Sequence, residues 1–482
     1  MEELDIGLIT KRSIRGVLAL ISRNLVINLL SFGASLVIFT ILTPQEVGIY
    51  IGVIAIQRVI SFLTDFGLGA ALVQKKDSVS QNDITTIFTI QGAATFVLFL
   101  LVLALREPIM TFFRMEEIGG RLLVVLVFTI FLASFKTIPS ILLERAINFQ
   151  KHVIPQIAES FVFNLLLIVL LLLNYKIDSF SIAFLVSSII SIPLYYCICP
   201  WKLRLGIHKK SLAHLRYGIQ FQAKNVLATL KDDLLIIFLW RVFSSVELGF
   251  IGFGQRFAFF AYRYIVDSVT KVTFSTYARL QHDRKLLTNA IEKSLFYVSS
   301  VMFPSLFGLI IAAPYTIQYF PKWNNKWEPA IFSLIFFCLN AAVSSLSGIL
   351  VNVLDATGKV KTTLRLMVLW TFLVWILTPI LIFFYGYNGV SVASFLVTTT
   401  IVYTVFLVKK FVDFKFFGSI YKPAIATVFM SVVVFIFSQV LVKDFLSLIF
   451  VILIGGAVYI FSLFAIAKKE LISGIKQFGI KL

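Results

Sequence analysis

Eight cations and five carboxylates stand inside long apolar runs of this chain: Arg23, Arg58, Lys136, Lys224, Lys231, Arg256, Arg263 and Lys271, with Asp65, Glu159, Asp232, Asp233 and Asp267. An ionisable group at that depth costs several kcal/mol unless it is paired or wetted. Arg23, Lys136 and Lys271 are near enough to the end of a run to snorkel outward. The others need partners or a wet interior, and their spacing favours the second. Arg256, Arg263, Asp267 and Lys271 fall within about 80° of one another on a helix. Gln220, Lys224 and Lys231 share one face, and Arg58 and Asp65, seven residues apart, share another. Asn24, Asn28, Ser31 and Ser35 form an uncharged polar face, and His152, Gln156 and Glu159 a fifth. Five such stripes suit helices that line a shared cavity.

The chemistry open to these groups is binding. A guanidinium is permanently charged, and its fork fits phosphate or carboxylate. At 1.5 Å per residue, Arg256 lies about 14 Å from one end of its run and Lys231 about 21 Å from an end of its own, both near mid-depth. We therefore expect Arg58, Lys224, Lys231, Arg256 and Arg263, with Asn24 and Asn28, to contact an anionic substrate. Asp65, Glu159, Asp232 and Asp267 are the candidates to carry a coupling proton or sodium ion. The structural alternative is ion pairing, for example Arg263 with Asp267 or Lys231 with a carboxylate. Cations exceed acids inside the runs, which favours an anion, but Asp232 and Asp233 beside Lys231 cancel part of that excess. All four histidines, His152, His208, His214 and His282, fall on one side, and no nucleophile–histidine pair, metal-ligand cluster or phosphate loop stands out. Cys197, Cys199 and Cys338 lie in apolar stretches and read as small buried hydrophobes. No catalytic residue, metal or cofactor is expected, and the chain is not expected to be an enzyme.

The elements that position these groups follow from composition. Apolar residues are 59% of the 482-residue chain and charged residues 14%, against about 45–50% and 25% in soluble proteins. A surface with so few charges must face lipid. Runs of about 20 apolar residues, the length of a membrane-spanning helix, occur near 17–42, 47–73, 84–105, 121–143, 153–173, 179–200, 217–240, 248–275, 294–318, 329–353, 366–385, 388–408, 422–442 and 445–467. An even number of spans puts both ends on one side. Segments on that side carry 27 Lys/Arg against 11 Asp/Glu, and the opposite loops 8 against 8. The basic side includes Lys202, Arg204, Lys209, Lys210 and Arg216 in one loop, and Lys409, Lys410, Lys415 and Lys422 in another. This asymmetry places both termini in the cytoplasm. The formal net charge of +19 is thus mostly orientation, and its dispersal over many loops excludes nucleic-acid binding. The longest external connection, Arg106–Gly120, is too short to house catalysis.

A shift of 201 residues sets Asn24-Leu-Val-Ile-Asn-Leu-Leu beside Asn225-Val-Leu-Ala-Thr-Leu-Lys, and Gln45-Glu-Val-Gly48 beside Val246-Glu-Leu-Gly249. Spans 1 and 2 then match spans 7 and 8, which predicts two parallel halves. The expected architecture is all-α and polytopic, with about 14 transmembrane helices. Two pseudo-symmetric six-helix lobes, 1–200 and 201–410, surround a central cavity, and two further helices occupy 411–482.

Four segments carry a resemblance to a known family: Thr64-Asp-Phe-Gly-Leu-Gly-Ala-Ala-Leu-Val-Gln-Lys-Lys76, Leu143-Glu-Arg-Ala-Ile-Asn-Phe-Gln-Lys151, Val266-Asp-Ser-Val-Thr-Lys-Val-Thr-Phe-Ser-Thr-Tyr-Ala-Arg-Leu280 and Tyr319-Phe-Pro-Lys-Trp-Asn324. In order and spacing they resemble the Wzx-type polysaccharide flippases, in the colanic-acid-like branch of the multidrug/oligosaccharidyl-lipid/polysaccharide exporter superfamily. The resemblance implies two six-helix lobes around a cavity. It also implies a bacterial plasma-membrane transporter that moves undecaprenyl-pyrophosphate-linked sugar units outward by ion-coupled alternating access. The expected partners are that glycan, the lipid bilayer, a polysaccharide polymerase and a chain-length regulator, and a monomer is expected. A cation-coupled exporter of another substrate on the same fold, or a membrane polymerase or ligase, are the competing readings.

Overall fold

The structure is a computed structural model and describes residues 6–64, 72, 79–146, 148–208, 211 and 231–477. Asp65, Gln220 and Lys224, and most of the stretch 64–76, lie outside the described residues. Contacts gather the chain into two units, Met1–Gly249 and Phe250–Leu482. The first holds α1 (Ile6–Ile41), α2 (Pro44–Thr64), α3 (Gln81–Ala104), α4 (Arg106–Phe113), α5 (Glu117–Arg145), α6 (Phe149–Leu172), α7 (Asp178–Ile198) and α8 (231–242). Helix α9 (Ser245–Leu280) begins at its end. The second continues with α10 (Arg284–Tyr319), α11 (Ile331–Ala356), α12 (Val360–Tyr385), α13 (Gly389–Thr398), α14 (Ile401–Lys409), α15 (Phe416–Leu441) and α16 (Phe445–Gln477).

Among the described residues, each of the fourteen apolar runs falls on helix, the run 47–73 as far as residue 64 and the run 217–240 from residue 231 onward. The run 388–408 is divided into α13 and α14 by a turn at Thr399–Thr400. Among the described residues there is no strand, as expected where backbone groups must be satisfied within one segment. Prolines inside α5, α6, α7, α10, α12 and α15 are tolerated because neighbouring helices pack the freed backbone. Local sequence sets the ends. Ser80 and Asp83 close a capping box at the start of α3, Asn148 caps α6, and Asp283 caps α10 by accepting from the Leu286 amide. The connection Arg106–Gly120 is not structureless. Its first eight residues form α4, closed by Arg114 in the left-handed conformation.

In the first unit, α6 packs against α1 and α7, α5 against α2, α3 and α7. In the second, α10 packs against α11, α15 and α16, and α13 against α11 and α12. Burial separates interior from periphery. Of the most apolar window, 56% is buried in Glu328–Ala356 but 11% in Val360–Lys409. Large side chains on the outer helices, such as Phe383, Phe417 and Phe461, are at least 77% exposed, a surface that only lipid can cover. Cys338 is buried, whereas Cys197, expected to be a buried hydrophobe, is exposed at the end of α7.

The internal repeat has a direct structural expression within the first unit. Glu46 accepts from the amide and hydroxyl of Thr43, and Glu247 does the same at Ser244, so both repeats start a helix with the same box. The two first turns then lie on each other through glycine. A Cβ at Gly48 would fall 1.7 Å from the Ser245 carbonyl oxygen, and a Cβ at Gly249 would fall 2.0 Å from that of Pro44. Under the 201-residue shift, Pro44 corresponds to Ser245 and Gly48 to Gly249, so each contact is the image of the other.

Candidate functional site

The structure places the predicted residues in separate groups within the two units. In the first unit, Arg58 stands on α2, fifteen residues into an apolar helix. Its side chain is nonetheless 58% exposed, and its guanidinium donates to the carboxylate of Asp233 on α8 at 3.3 Å. Asp233 is the buried partner, at 11% side-chain exposure. One turn of the same helix also carries Lys231, which bonds Asp232 at 2.6 Å, with Asp232 74% exposed. This group of two cations and two carboxylates is balanced, so the ion pairing that competed with substrate contact operates here. Because Asp233 is the buried partner, removing Arg58 would leave a carboxylate without its counter-charge.

A second polar group joins α1, α5, α6 and α7. Arg23 donates to Gln156 at 2.5 Å and to the Asn24 side-chain oxygen from two nitrogens at 3.1 and 2.6 Å. Gln156 lies 2.9 Å from His152 one turn back on α6. Farther along the same face, Glu159 accepts from Lys136 of α5 at 2.5 Å, and Lys136 also donates to Ser191 of α7 at 3.1 Å. Tyr195, 3% exposed, stands beside Gln156 and Glu159. The sequence expectation that Arg23 and Lys136 snorkel is corrected here. Lys136 is only 17% exposed, because a carboxylate on the adjacent helix is a nearer charge partner than the membrane boundary. The side-chain oxygen of Asn24 is engaged by Arg23. Asn28 lies half-buried on α1.

In the second unit, Arg263, Asp267 and Lys271 are all exposed along α9, with Asp267 under the charge of both cations. Arg256 is half-buried two turns nearer the start of the helix. The stripe is held in place from α11. Asn352 donates to the Thr270 carbonyl and the Thr273 hydroxyl at 2.9 and 2.8 Å, and Tyr277 is fully buried on the same side. The stretch 266–280 is thus half packing surface and half charged stripe.

The remaining recognised segments are structural. Trp323 and Trp327 are buried against Phe253, with the Phe253 and Trp327 rings stacked at 4.7 Å. Near residue 147, Arg145 donates to the Leu72 carbonyl at 2.5 Å and Asn148 caps α6. No cluster of three or more His, Cys, Asp or Glu side chains able to hold a metal occurs among the described residues. Sequence reasoning missed Lys136 and Ser191 as members of the α6 group, since neither lies on a polar stripe of its own helix.

Comparison with known proteins follows the same lines. The sequence matches the family described as polysaccharide biosynthesis protein over residues 37–332. It is 22% identical over 290 residues to the succinoglycan biosynthesis transport protein ExoT of Rhizobium meliloti, covering 60% of this chain and 58% of that one. It is 23% identical over 322 residues to the lipopolysaccharide biosynthesis protein WzxC of Escherichia coli, covering 64% and 63%. The chain thus spans about three fifths of the length of these relatives. An uncharacterised membrane protein in the cps region of Klebsiella pneumoniae matches over 94% of both chains at 23% identity. Among solved structures, the lipid II flippase MurJ in an inward closed conformation superposes with a TM-score of 0.72 at 17% identity, covering 95% of this chain and 100% of that one. An inward-facing multidrug MATE transporter of the MOP superfamily gives 0.62 at 13% identity, covering 80% and 95%. On the strength of the family match over most of its length, this chain belongs to the polysaccharide biosynthesis protein family and is built on the fold shared by the MOP-superfamily transporters.

Proposed function

We propose that this protein moves undecaprenyl-pyrophosphate-linked oligosaccharide units from the cytoplasmic to the outer leaflet of a bacterial plasma membrane, by alternating access driven by an ion gradient. The observation that carries the proposal is Arg58. Its guanidinium is more than half exposed on an apolar helix and engages Asp233 through one nitrogen, so the rest of the fork must meet water or an anion, because lipid would leave those N–H groups unsatisfied. The same argument extends to Arg263, exposed on α9 within its own unit, and Lys231 and Arg256 join it as candidates from the sequence. The names of the relatives point the same way, one being a transport protein of succinoglycan biosynthesis and one a lipopolysaccharide biosynthesis protein. Both termini are assigned to the cytoplasm on the charge asymmetry of the loops. As coupling groups, Asp232 and Asp267 are open to water, whereas Glu159 is held by Lys136 and would have to leave it to take up an ion.

The experiment is complementation of a strain deleted for the gene. Arg58→Gln, Lys231→Gln and Arg256→Gln should each insert at normal levels and lower surface polysaccharide several-fold, while lipid-linked glycan accumulates inside. Wild-type surface polysaccharide in all three variants would remove the cations from the transport route and the argument with them.

A further inference from the structure

On the face where α2 and α9 begin, a cavity of about 330 Å³ opens beside α4, lined by Phe112, Phe113, Arg114, Trp240, Arg241 and the turn into α9. Its size is at the lower end of the range for small-molecule sites, enough for a headgroup. Two features give it chemistry. Its lining holds two guanidiniums and no carboxylate. Among the described residues, neither Arg114 nor Arg241 has an ion-pair partner. The carboxylates nearest in sequence bond polar residues of the lining, Gln45 and Ser244, and neither guanidinium. Glu116 accepts from Gln45, and Glu247 accepts from the Ser244 amide and hydroxyl at 2.9 and 2.8 Å.

The second feature is the aromatic bed. The Arg241 guanidinium lies over the Phe112 ring, 5.2 Å from its centroid, a cation–π contact that favours this placement of the charge. Phe113 stacks on Trp240 at 5.2 Å and 24°, and the Trp240 indole is fixed by donating to the Ser245 hydroxyl at 3.2 Å. Arg114 completes the rim from a left-handed backbone, φ 51° and ψ 42°, which favours glycine. A cationic fork above a rigid apolar surface matches an anion attached to a sugar ring. The rings cover the carbon face, and the forks take a carboxylate or phosphate bidentately.

We propose that this cavity is an external subsite for the anionic headgroup of a glycan, with Arg114 and Arg241 as its anion contacts. The proposal rests on the transport reading above and on the orientation that puts this face outside. It adds a station at which cargo is held after it has crossed.

The test uses the full-length protein in nanodiscs, with calorimetric titration of three probes: a glucuronate-containing tetrasaccharide, inorganic pyrophosphate and maltotetraose. The uronate sugar or pyrophosphate should bind, and the affinity should fall at least tenfold in Arg241→Gln and in Arg114→Gln. Lys176→Gln, an exposed cation outside the cavity lining, should bind as wild type does. Binding of the uronate sugar alone names a sugar carboxylate as the ligand, and binding of pyrophosphate alone names the linking phosphates. Absence of binding to both, equal binding of maltotetraose, or undiminished binding by melting-competent arginine variants would overturn the assignment. The readout involves no transport. Loss of this binding site with export still blocked in Arg58→Gln sinks the subsite only, and wild-type export in Arg58→Gln with binding here intact sinks the transport reading only.

Discussion

Replacement of Gly48 and Gly249 by alanine tests the reciprocal contact between the two repeats. An added Cβ at Gly48 would stand 1.7 Å from the Ser245 oxygen, and one at Gly249 2.0 Å from the Pro44 oxygen. Ordinary contact requires about 3.5 Å, so the two turns must separate by roughly 1.5–1.8 Å. Both obstructing atoms are backbone, so no side chain can swing away. Overpacking of this kind costs about 1–3 kcal/mol, against which alanine gains about 0.5–1 kcal/mol of helix propensity. With backbone as the obstruction the upper part of that range applies, about 2–3 kcal/mol, and each single variant should lose about 1–2.5 kcal/mol. The double variant should lose little more than either single, because one separation accommodates both methyl groups, which leaves a coupling of about 1–2 kcal/mol. Gly308→Ala is the control, since its nearest neighbour would be the flexible end of Met430 at 3.7 Å, and it should be neutral or stabilising. The assay is denaturant unfolding of purified protein in micelles. Single variants as stable as the Gly308 control, or a double variant whose loss equals the sum, would refute the interlock.

Three further outcomes are expected. Lys136→Met should destabilise by about 3–5 kcal/mol by leaving Glu159 unpaired, while Lys136→Met with Glu159→Leu should recover most of the loss; equal losses in both, by the same unfolding assay, would mean that water already solvates the pair. Ser244→Ala should cost about 0.5–2 kcal/mol through loss of the capping box at the start of α9, and a silent change would show that Glu247 caps without it. Between α15 and α16, hydrogen bonds from the Ser447 amide and hydroxyl hold the Asp444 carboxyl below its usual range. A carboxylate depressed in the folded state stabilises above its unfolded value of about 3.9 and loses that contribution as pH falls through the lowered one. The melting difference between wild type and Asp444→Asn should accordingly be constant from neutral pH down to about 5 and close below 4.

Much of the architecture was legible before any coordinates, because a membrane leaves the backbone little choice. An apolar run of about 20 residues must be a helix, and residues such as Ser80, Asn148 and Asp283 mark helix starts by chemistry confined to four neighbouring residues. The faint repeat was legible too, since Glu46 and Glu247 form the same box three residues from a hydroxyl. Stripes of charge were visible as periodicity within one helix. The cavity beside α4 was not, since Arg106–Gly120 carries no long apolar run and its aromatic partner Trp240 is far away in sequence.

Pairing between helices was decided only by tertiary structure. That Arg58 meets Asp233 across 175 residues, that Lys136 turns inward to Glu159, and that Gly48 rests on Ser245 are consequences of which helix stands beside which. Periodicity reports the direction a side chain points from its own axis. It carries no information about the neighbouring axis, and that neighbour decides whether a buried cation is neutralised, wetted or available to an anion. Composition determined the helices through solvation of each segment alone. The packed fold decided which of the charged residues are partners and which remain exposed, because that depends on distances between segments.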